Sequence, residues 1–154
     1  MKRTYGSRLL VTLLAGLLFV GCNLPSDAKL SAVFTGHSAD FRNLIFISER
    51  DQGLKRLSPT LVTADNTIPE EKLQEYHSLF AKLGIKEGLE RRDDYPNAIF
   101  FPVECQGTAI THDCKGYVYS AQALKPVEDS LDDPPAKIVF KKLSDEWYLF
   151  RDDG

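Results

Sequence analysis

Few residues in this chain have the types and spacing that catalysis or metal binding requires. Its three histidines, His37, His77 and His112, show neither an HxxxH nor an HExxH pattern, so the sequence predicts no metal site. His112 precedes Asp113, and such a pair can do acid–base chemistry, but neighbouring residues on a strand point to opposite faces. The sequence has no phosphate-binding loop and no dinucleotide-binding glycine pattern. We therefore predict no catalytic residue and no cofactor.

Paired aspartates are the other chemical feature, and they occur at 93–94, 132–133 and 152–153. They lack EF-hand spacing, so turn or surface charge is favoured over the alternative of a calcium site. An enzyme remains a third alternative. A deep pocket that joins His112 to another titratable group would favour it.

The N-terminal residues form a secretory leader pattern. Lys2, Arg3 and Arg8 precede an almost wholly apolar run from 9 to 20. A charged segment followed by a short apolar one is typical of a signal peptide. The run is shorter than the roughly 20 apolar residues that a membrane span requires. We therefore predict that residues 1–21 are a signal peptide that is removed on export.

The apolar run ends at Phe19-Val20-Gly21-Cys22, which resembles the lipobox of bacterial lipoproteins. In that family the cysteine is lipidated, with palmitate among the acyl chains, and becomes the mature N-terminus. The resemblance therefore implies lipidation of Cys22. Phe19 departs from the family pattern, which usually has Leu at this position. The alternative is an ordinary signal peptide with a chance cysteine.

The same resemblance bears on localisation. In enteric lipoproteins an Asp after the lipidated cysteine favours the inner membrane. Asn23 stands there, which implies the periplasmic face of the outer membrane. Without residues 1–21 the net charge falls from −3 to −6, because they hold three basic residues and no acidic one. An acidic domain is a poor nucleic-acid binder, so we predict no nucleic-acid partner and membrane attachment through the lipid alone.

The cysteine count predicts a disulfide. The chain has three Cys, and lipidation of Cys22 leaves Cys105 and Cys114 as a pair. Export places that pair in an oxidising compartment, where a disulfide persists. The alternative is two buried free thiols.

The domain that positions these residues is predicted to span 34–154, after a lipidated tether at 22–33. An apolar stripe predicts a first helix that Ser38 caps and Gly53 ends, with a strand through LIFI at 44–47 as the alternative. The stripe consists of Phe41, Leu44, Ile45 and Ser48.

The stretch TIPEEKLQEYHSLFAKLG predicts a second helix, in which Thr67 and Glu70 have capping-box spacing and Gly84 suits the end. Its stripe consists of Leu73, Tyr76, Leu79, Phe80 and Leu83.

After Gly84 the apolar period shifts toward two and predicts strands at 86–92, 98–104, 116–121, 137–143 and 147–151. The turn-like stretches DDYPN and SDE predict hairpins, and Pro102 must lie at an edge or a bulge. Residues 122–136 are predicted to form a long loop. The predicted fold is α+β, with two helices packed on an antiparallel meander sheet of about five strands.

Apolar side chains should occupy both faces of this sheet, since Trp147 and Tyr148 point opposite ways. Two helices can cover one face but hardly both. We therefore hypothesise that Tyr117, Tyr119 and Tyr148 contribute to an exposed partner surface, although strand pairing could place them on different faces. The alternative is that the loop at 122–136, or a dimer, buries it.

Pieces spread along the chain resemble a group of small uncharacterised proteobacterial lipoproteins. They are DFRNLI, GLKRL, EYHSLFAKLGIKEGLERR, KGYVYS, VEDSLDD and DEWYLF. The resemblance implies a cell-envelope location and a single α+β domain, and it assigns no functional residue. We predict a non-enzymatic binding or structural lipoprotein with an envelope protein as its partner. The alternative is an inhibitor or immunity-type protein that binds an exported enzyme or toxin.

Overall fold

The computed structural model describes residues 24–107, 112–133 and 137–154, which form three helices and one seven-stranded sheet. The helices are α1 Asp27–Gly36, α2 Ser38–Arg50 and α3 Glu70–Leu83. The strands are β1 Leu54–Leu57, β2 Val62–Ala64, β3 Leu89–Glu90, β4 Ala98–Gly107, β5 His112–Ser120, β6 Val139–Lys142 and β7 Trp147–Asp152. Paired strands are antiparallel, in the order β2-β1-β3-β4-β5-β7-β6. The predicted signal peptide and Cys22 lie outside the described residues.

The sheet is larger than the five strands that the sequence predicts. Strands β4 to β7 overlap four of the predicted strands, and β3 covers only two residues of the predicted 86–92. The sequence analysis missed β1 and β2, which form a hairpin of four and three residues, because such short polar strands show no clear period of two. The last three strands also depart from a meander. The long segment after β5 carries β6 to the sheet edge, and β7 lies between them.

Helices α2 and α3 confirm the two predicted helices, and α2 excludes the alternative of a strand through LIFI. Phe41 and Leu44 of α2 are buried, as are Tyr76 and Phe80 of α3. These stripes pack on the same face of the sheet and belong to the larger core cluster.

The ends of these helices correct three predicted caps and confirm one. Ser38 is the first residue of α2 rather than its cap. The N-cap is His37, which alone separates α2 from the end of α1. Helix α3 begins after Pro69, so the predicted capping box at Thr67 does not form. Helix α2 ends at Arg50, ahead of Gly53. Gly84 ends α3 as predicted, in the left-handed conformation with φ 69°.

A third helix, α1, replaces most of the predicted tether. Residues 27–33 are helical, although the sequence predicts irregular chain there. Ser26 is the N-cap, and its hydroxyl accepts from the Lys29 backbone N–H at 3.3 Å. The Phe34 ring lies 5.6 Å from the Trp147 ring. This packing makes α1 part of the domain rather than a spacer.

Pro102 lies at a bulge in the central strand β4, as predicted. The β4–β5 register shifts between Pro102 and Glu104. Gly116 lies against this bulge, where a Cβ atom would be 2.3 Å from the Phe101 carbonyl oxygen. Glycine at 116 therefore lets the two backbones approach closely enough to keep the proline within the sheet.

The two faces of the sheet bury different side chains, in the predicted alternation. Trp147 and Leu149 pack on the helix side, whereas Tyr148 belongs to a second cluster on the opposite side. Leu124, from the loop after β5, and Tyr95, from the β3–β4 turn, cover part of that second side. The loop at 122–136 thus buries part of the second face, as the alternative interpretation expects.

The hypothesised exposed tyrosine surface is wrong for two of its three residues. Tyr117 is 0% exposed and Tyr148 is 3% exposed, because Phe41 packs on the first and Phe140 on the second. They also lie on opposite faces of the sheet. Tyr119 is half-buried beside Trp147, on the helix side. Since the three side chains do not share a surface, we do not retain that hypothesis.

Candidate functional site

The uncovered part of the second face is a cleft at the strand ends that carry Cys105 and Cys114. The two cysteines lie directly opposite each other in the β4–β5 pairing. Their Sγ atoms are 1.98 Å apart, which is a disulfide distance. This agrees with the predicted pair and not with two free thiols. Both cysteines line the cleft.

The cleft has a volume of about 470 Å³ and receives side chains from β1, β3, β4, β5 and β7. Its lining residues are Arg56, Glu87, Leu89, Glu90, Arg92, Pro102, Cys105, His112, Cys114 and Asp152. Most of them are charged or titratable, and both signs of charge are present. A ligand of this cleft must therefore be polar, since an apolar one would leave these groups without partners.

Arg92 is the charge of the cleft with both ionic and aromatic partners. Its guanidinium lies 2.5 Å from both a Glu90 and an Asp152 carboxylate oxygen. It also lies 4.4 Å from the centre of the Phe100 ring and 5.5 Å from that of Phe150. Burial alone lowers the pKa of Arg92, but the two carboxylates outweigh it and raise the pKa above its usual value. Arg92 therefore stays charged and links β3 to β7.

Arg56 and Glu87 are more available to a ligand than Arg92 is. Both side chains are exposed, and within the described residues neither forms an ion pair. His112 is also exposed in the cleft, whereas the next carboxylate, Asp113, lies on the opposite face and accepts from Arg151 at 3.0 and 2.6 Å. The structure therefore separates His112 from Asp113, as strand alternation predicts.

The helix side of the same strand ends holds a buried ion cluster that the sequence analysis missed. We call Asp27, Lys115, Asp132 and Lys141 the Asp27 cluster. Lys115 is 1% exposed, and its Nζ lies 2.7 Å from Oδ1 of Asp27 and 2.7 Å from Oδ1 of Asp132. The contact with Asp27 is an ion pair without hydrogen-bond alignment. Lys141 donates to the other Asp27 oxygen at 3.1 Å.

Backbone groups complete the Asp27 cluster and join three parts of the fold. The Leu131 N–H donates to Asp27 at 2.9 Å, and the Asp27 N–H donates to Asp132 at 2.9 Å. Arg151 of β7 donates to the carbonyls of Leu131 and Asp132 at 2.9 and 2.8 Å. The hydrogen bond from Lys115, with that from the Asp27 N–H, lowers the pKa of Asp132. Partners of Asp27 that lie 104 and 105 residues away leave no local signal in the sequence.

Within the part of the chain that the structure describes, no group of three or more His, Cys, Asp or Glu side chains is placed to hold a metal ion. The same residues include no helix long and apolar enough to cross a membrane. No protein-family model matches the chain, and no curated protein or solved structure matches it either.

Proposed function

We propose that this chain is a lipid-anchored protein of the bacterial cell envelope and acts there as a non-enzymatic binding module. The observation that carries the binding role is the cleft, where polar side chains from four strands converge beside the cysteine pair. Arg56 and Glu87 present opposite charges there. The ligand that fits best is a polar segment of a partner protein that carries both a basic and an acidic group.

Two features support the envelope location. The first is the lipobox-like end of the leader at Cys22. The second is the disulfide distance between Cys105 and Cys114, since such bonds persist in compartments outside the cytoplasm. By the same resemblance, Asn23 favours the periplasmic face of the outer membrane.

Site-specific crosslinking in envelopes tests the cleft as the binding site. A photoreactive residue at Arg56 or at Glu87 should form an adduct with one and the same partner. A matched probe at Ser78, exposed on α3, should not form it. A missing adduct at both cleft positions, or an equal adduct at Ser78, would show that the partner binds elsewhere.

Charge reversal then tests the recognition chemistry. Arg56→Glu should weaken binding of that partner about tenfold or more, because an ion pair becomes a repulsion. Arg42→Glu makes the same charge change on the exposed surface of α2 and should leave binding nearly unchanged. Equal losses from both variants would point to non-specific electrostatics. A partner that is an exported enzyme or toxin would favour the inhibitor interpretation.

The anchor has its own test. The wild-type chain should incorporate labelled palmitate, and Cys22→Ala should not. Label retained by Cys22→Ala would show that Cys22 is not the lipidated residue. In membrane fractionation the wild type should sediment with outer-membrane markers, and sedimentation with inner-membrane markers would contradict the proposed location.

A further inference from the structure

Helix α1 determines where the chain enters the domain. At its start, Asp27 contacts Lys115, near the beginning of β5. Near its end, Phe34 packs on Trp147, at the opposite end of the sheet from Asp152. The helix therefore runs along the strands, and its first residue lies at the strand ends where Cys114 and the cleft are found.

The start of α1 is held firmly at this position. Asp27 is 4% exposed and Lys115 is 1% exposed, and Pro25 is buried as well. Lifting the start of the helix away would leave the Lys115 ammonium in the interior without its buried partner, which is strongly unfavourable. The domain therefore includes the start of α1, whereas the sequence predicts that it begins at residue 34.

The chain length between this point and the lipidation site is very short. Pro25 lies three residues after Cys22. Three residues span at most about 10 Å when fully extended. The polar layer of one leaflet is about 5–8 Å thick. A lipid on Cys22 would therefore bring the Asp27 end of the sheet to the headgroup layer.

We infer that the lipidated protein stands on the membrane by this end, so that the cleft opens next to the lipid headgroups. This orientation rests on the proposed lipidation of Cys22. The short tether imposes the contact and charge does not, because the exposed acids Asp133 and Asp153 at this end would repel anionic lipids. A cleft ligand must then itself lie at the membrane surface, such as the membrane-proximal segment of another envelope protein.

Fluorescence quenching by lipids with a nitroxide headgroup tests this orientation. The probe is a fluorophore on a single new cysteine, either Asp153→Cys beyond the end of β7 or Asp145→Cys before its start. Both positions are exposed and carry the same native charge. The six residues of β7 between them span about 20 Å. The lipidated protein is reconstituted in vesicles of phosphatidylethanolamine and phosphatidylglycerol.

Quenching at 153 should exceed quenching at 145 several-fold. A flexible linker of about 20 Gly and Ser residues between Asn23 and Leu24 should abolish the difference, because the tether no longer holds the domain down. Equal quenching in the lipidated protein, or a difference that survives the linker, overturns the orientation and leaves the proposed function standing. A chain that carries no lipid and does not float with vesicles overturns both.

Discussion

Two ion clusters lie on opposite faces of the sheet, where β5 begins and β7 ends, and they differ in how far they are exposed to water. On the helix side, Lys115 is 1% exposed and closes the Asp27 cluster. On the cleft side, the Arg92 side chain is 18% exposed and pairs with Glu90 and Asp152. Similar chemistry thus serves two purposes. The buried cluster joins α1 to the sheet, whereas the open one lines a surface that a ligand can reach.

Strand alternation is what sends these charges to opposite sides. Cys114 and Asp152 face the cleft, and their neighbours Lys115 and Arg151 face α1. At the centre of the Asp27 cluster, Asp27 and Lys115 are buried, so these two charges have exchanged water for one another. Removal of Asp27 should therefore be far more damaging than removal of a charge from the cleft, where water replaces the missing group.

The largest effect is expected from Asp27→Ala. This change leaves the buried Lys115 with only the exposed Asp132 as an ionic partner within the described residues, and it should lower the free energy of unfolding by about 3 kcal/mol or more. Urea unfolding measures this loss. Asp133→Ala removes an exposed acid from the same end and should stay within about 0.5 kcal/mol of the wild type. Equal effects from the two variants would remove the distinction between the clusters.

The second largest loss of stability is expected when the cysteine pair is removed, because a disulfide is covalent but this one closes only a short loop. Replacing both Cys105 and Cys114 by Ser should destabilise the protein by about 2.5 kcal/mol in the chain-entropy account. A reducing agent should bring the wild type down to the same midpoint of urea unfolding and should leave the double variant unchanged. A wild-type midpoint insensitive to reduction would mean that no disulfide is present in solution.

A smaller loss is expected from Arg92→Ala. The variant loses two ion pairs and two contacts with aromatic rings, but its partly exposed carboxylate partners regain water, so we expect about 1–2 kcal/mol. Arg92→Lys keeps the charge and should lie between the variant and the wild type in urea unfolding. A loss as large as that of Asp27→Ala would show that the cleft cluster is structural too.

The smallest effect is a pH dependence at the edge of the Asp27 cluster. The pKa of Asp132 is lowered from its usual 3.8, so its carboxylate stabilises the fold above that pH and loses the contribution as the pH falls through the lower folded-state value. The side chain is 51% exposed, so the effect should stay below about 1 kcal/mol.

Urea unfolding at a series of pH values measures this dependence. The stability difference between wild type and Asp132→Asn should be constant between about pH 5 and 7 and should shrink below about pH 4. Asp145→Asn, in the exposed β6–β7 turn, is the matched control and should show no such trend. A difference that grows on acidification would contradict the assigned sign.

Much of the secondary structure could be predicted because its signals are local. The apolar stripes of α2 and α3 repeat within one or two turns, and Gly84 marks a helix end through its own backbone preference. The alternation in β4 to β7 follows from the pleat of each strand. The bulge at Pro102 follows from a residue that cannot donate a ladder hydrogen bond. The cysteine pair could be predicted by counting, because the three cysteines less the one in the leader leave a single pair.

The candidate site could not be predicted from local signals of this kind. The cleft joins residues from Arg56 to Asp152, and nothing local in either strand indicates that they meet. His112 and Cys114 are residue types that can do chemistry, whereas no motif or spacing distinguishes Arg56, Glu87 or Arg92 from other charged residues of the sequence. The tyrosine hypothesis failed because Tyr117 lies on the helix side under Phe41 of α2. Tyr148 lies on the opposite side, which Phe140 and the loop residue Leu124 partly cover.

The sequence by itself determined the helices α2 and α3, the alternation of the sheet faces and the restriction of Pro102 to an edge or a bulge, since each depends on the geometry of a few adjacent residues. The tertiary structure alone decided that residues 27–33 belong to the domain, that β1 and β2 extend the sheet, and which charges are buried and which line the cleft. The physical reason is that an aspartate near the N-terminus has the same preferences in a tether as in a helix. The approach of Lys115, Lys141 and the Leu131 N–H, each about a hundred residues away in the chain, is what makes burial of the Asp27 carboxylate favourable.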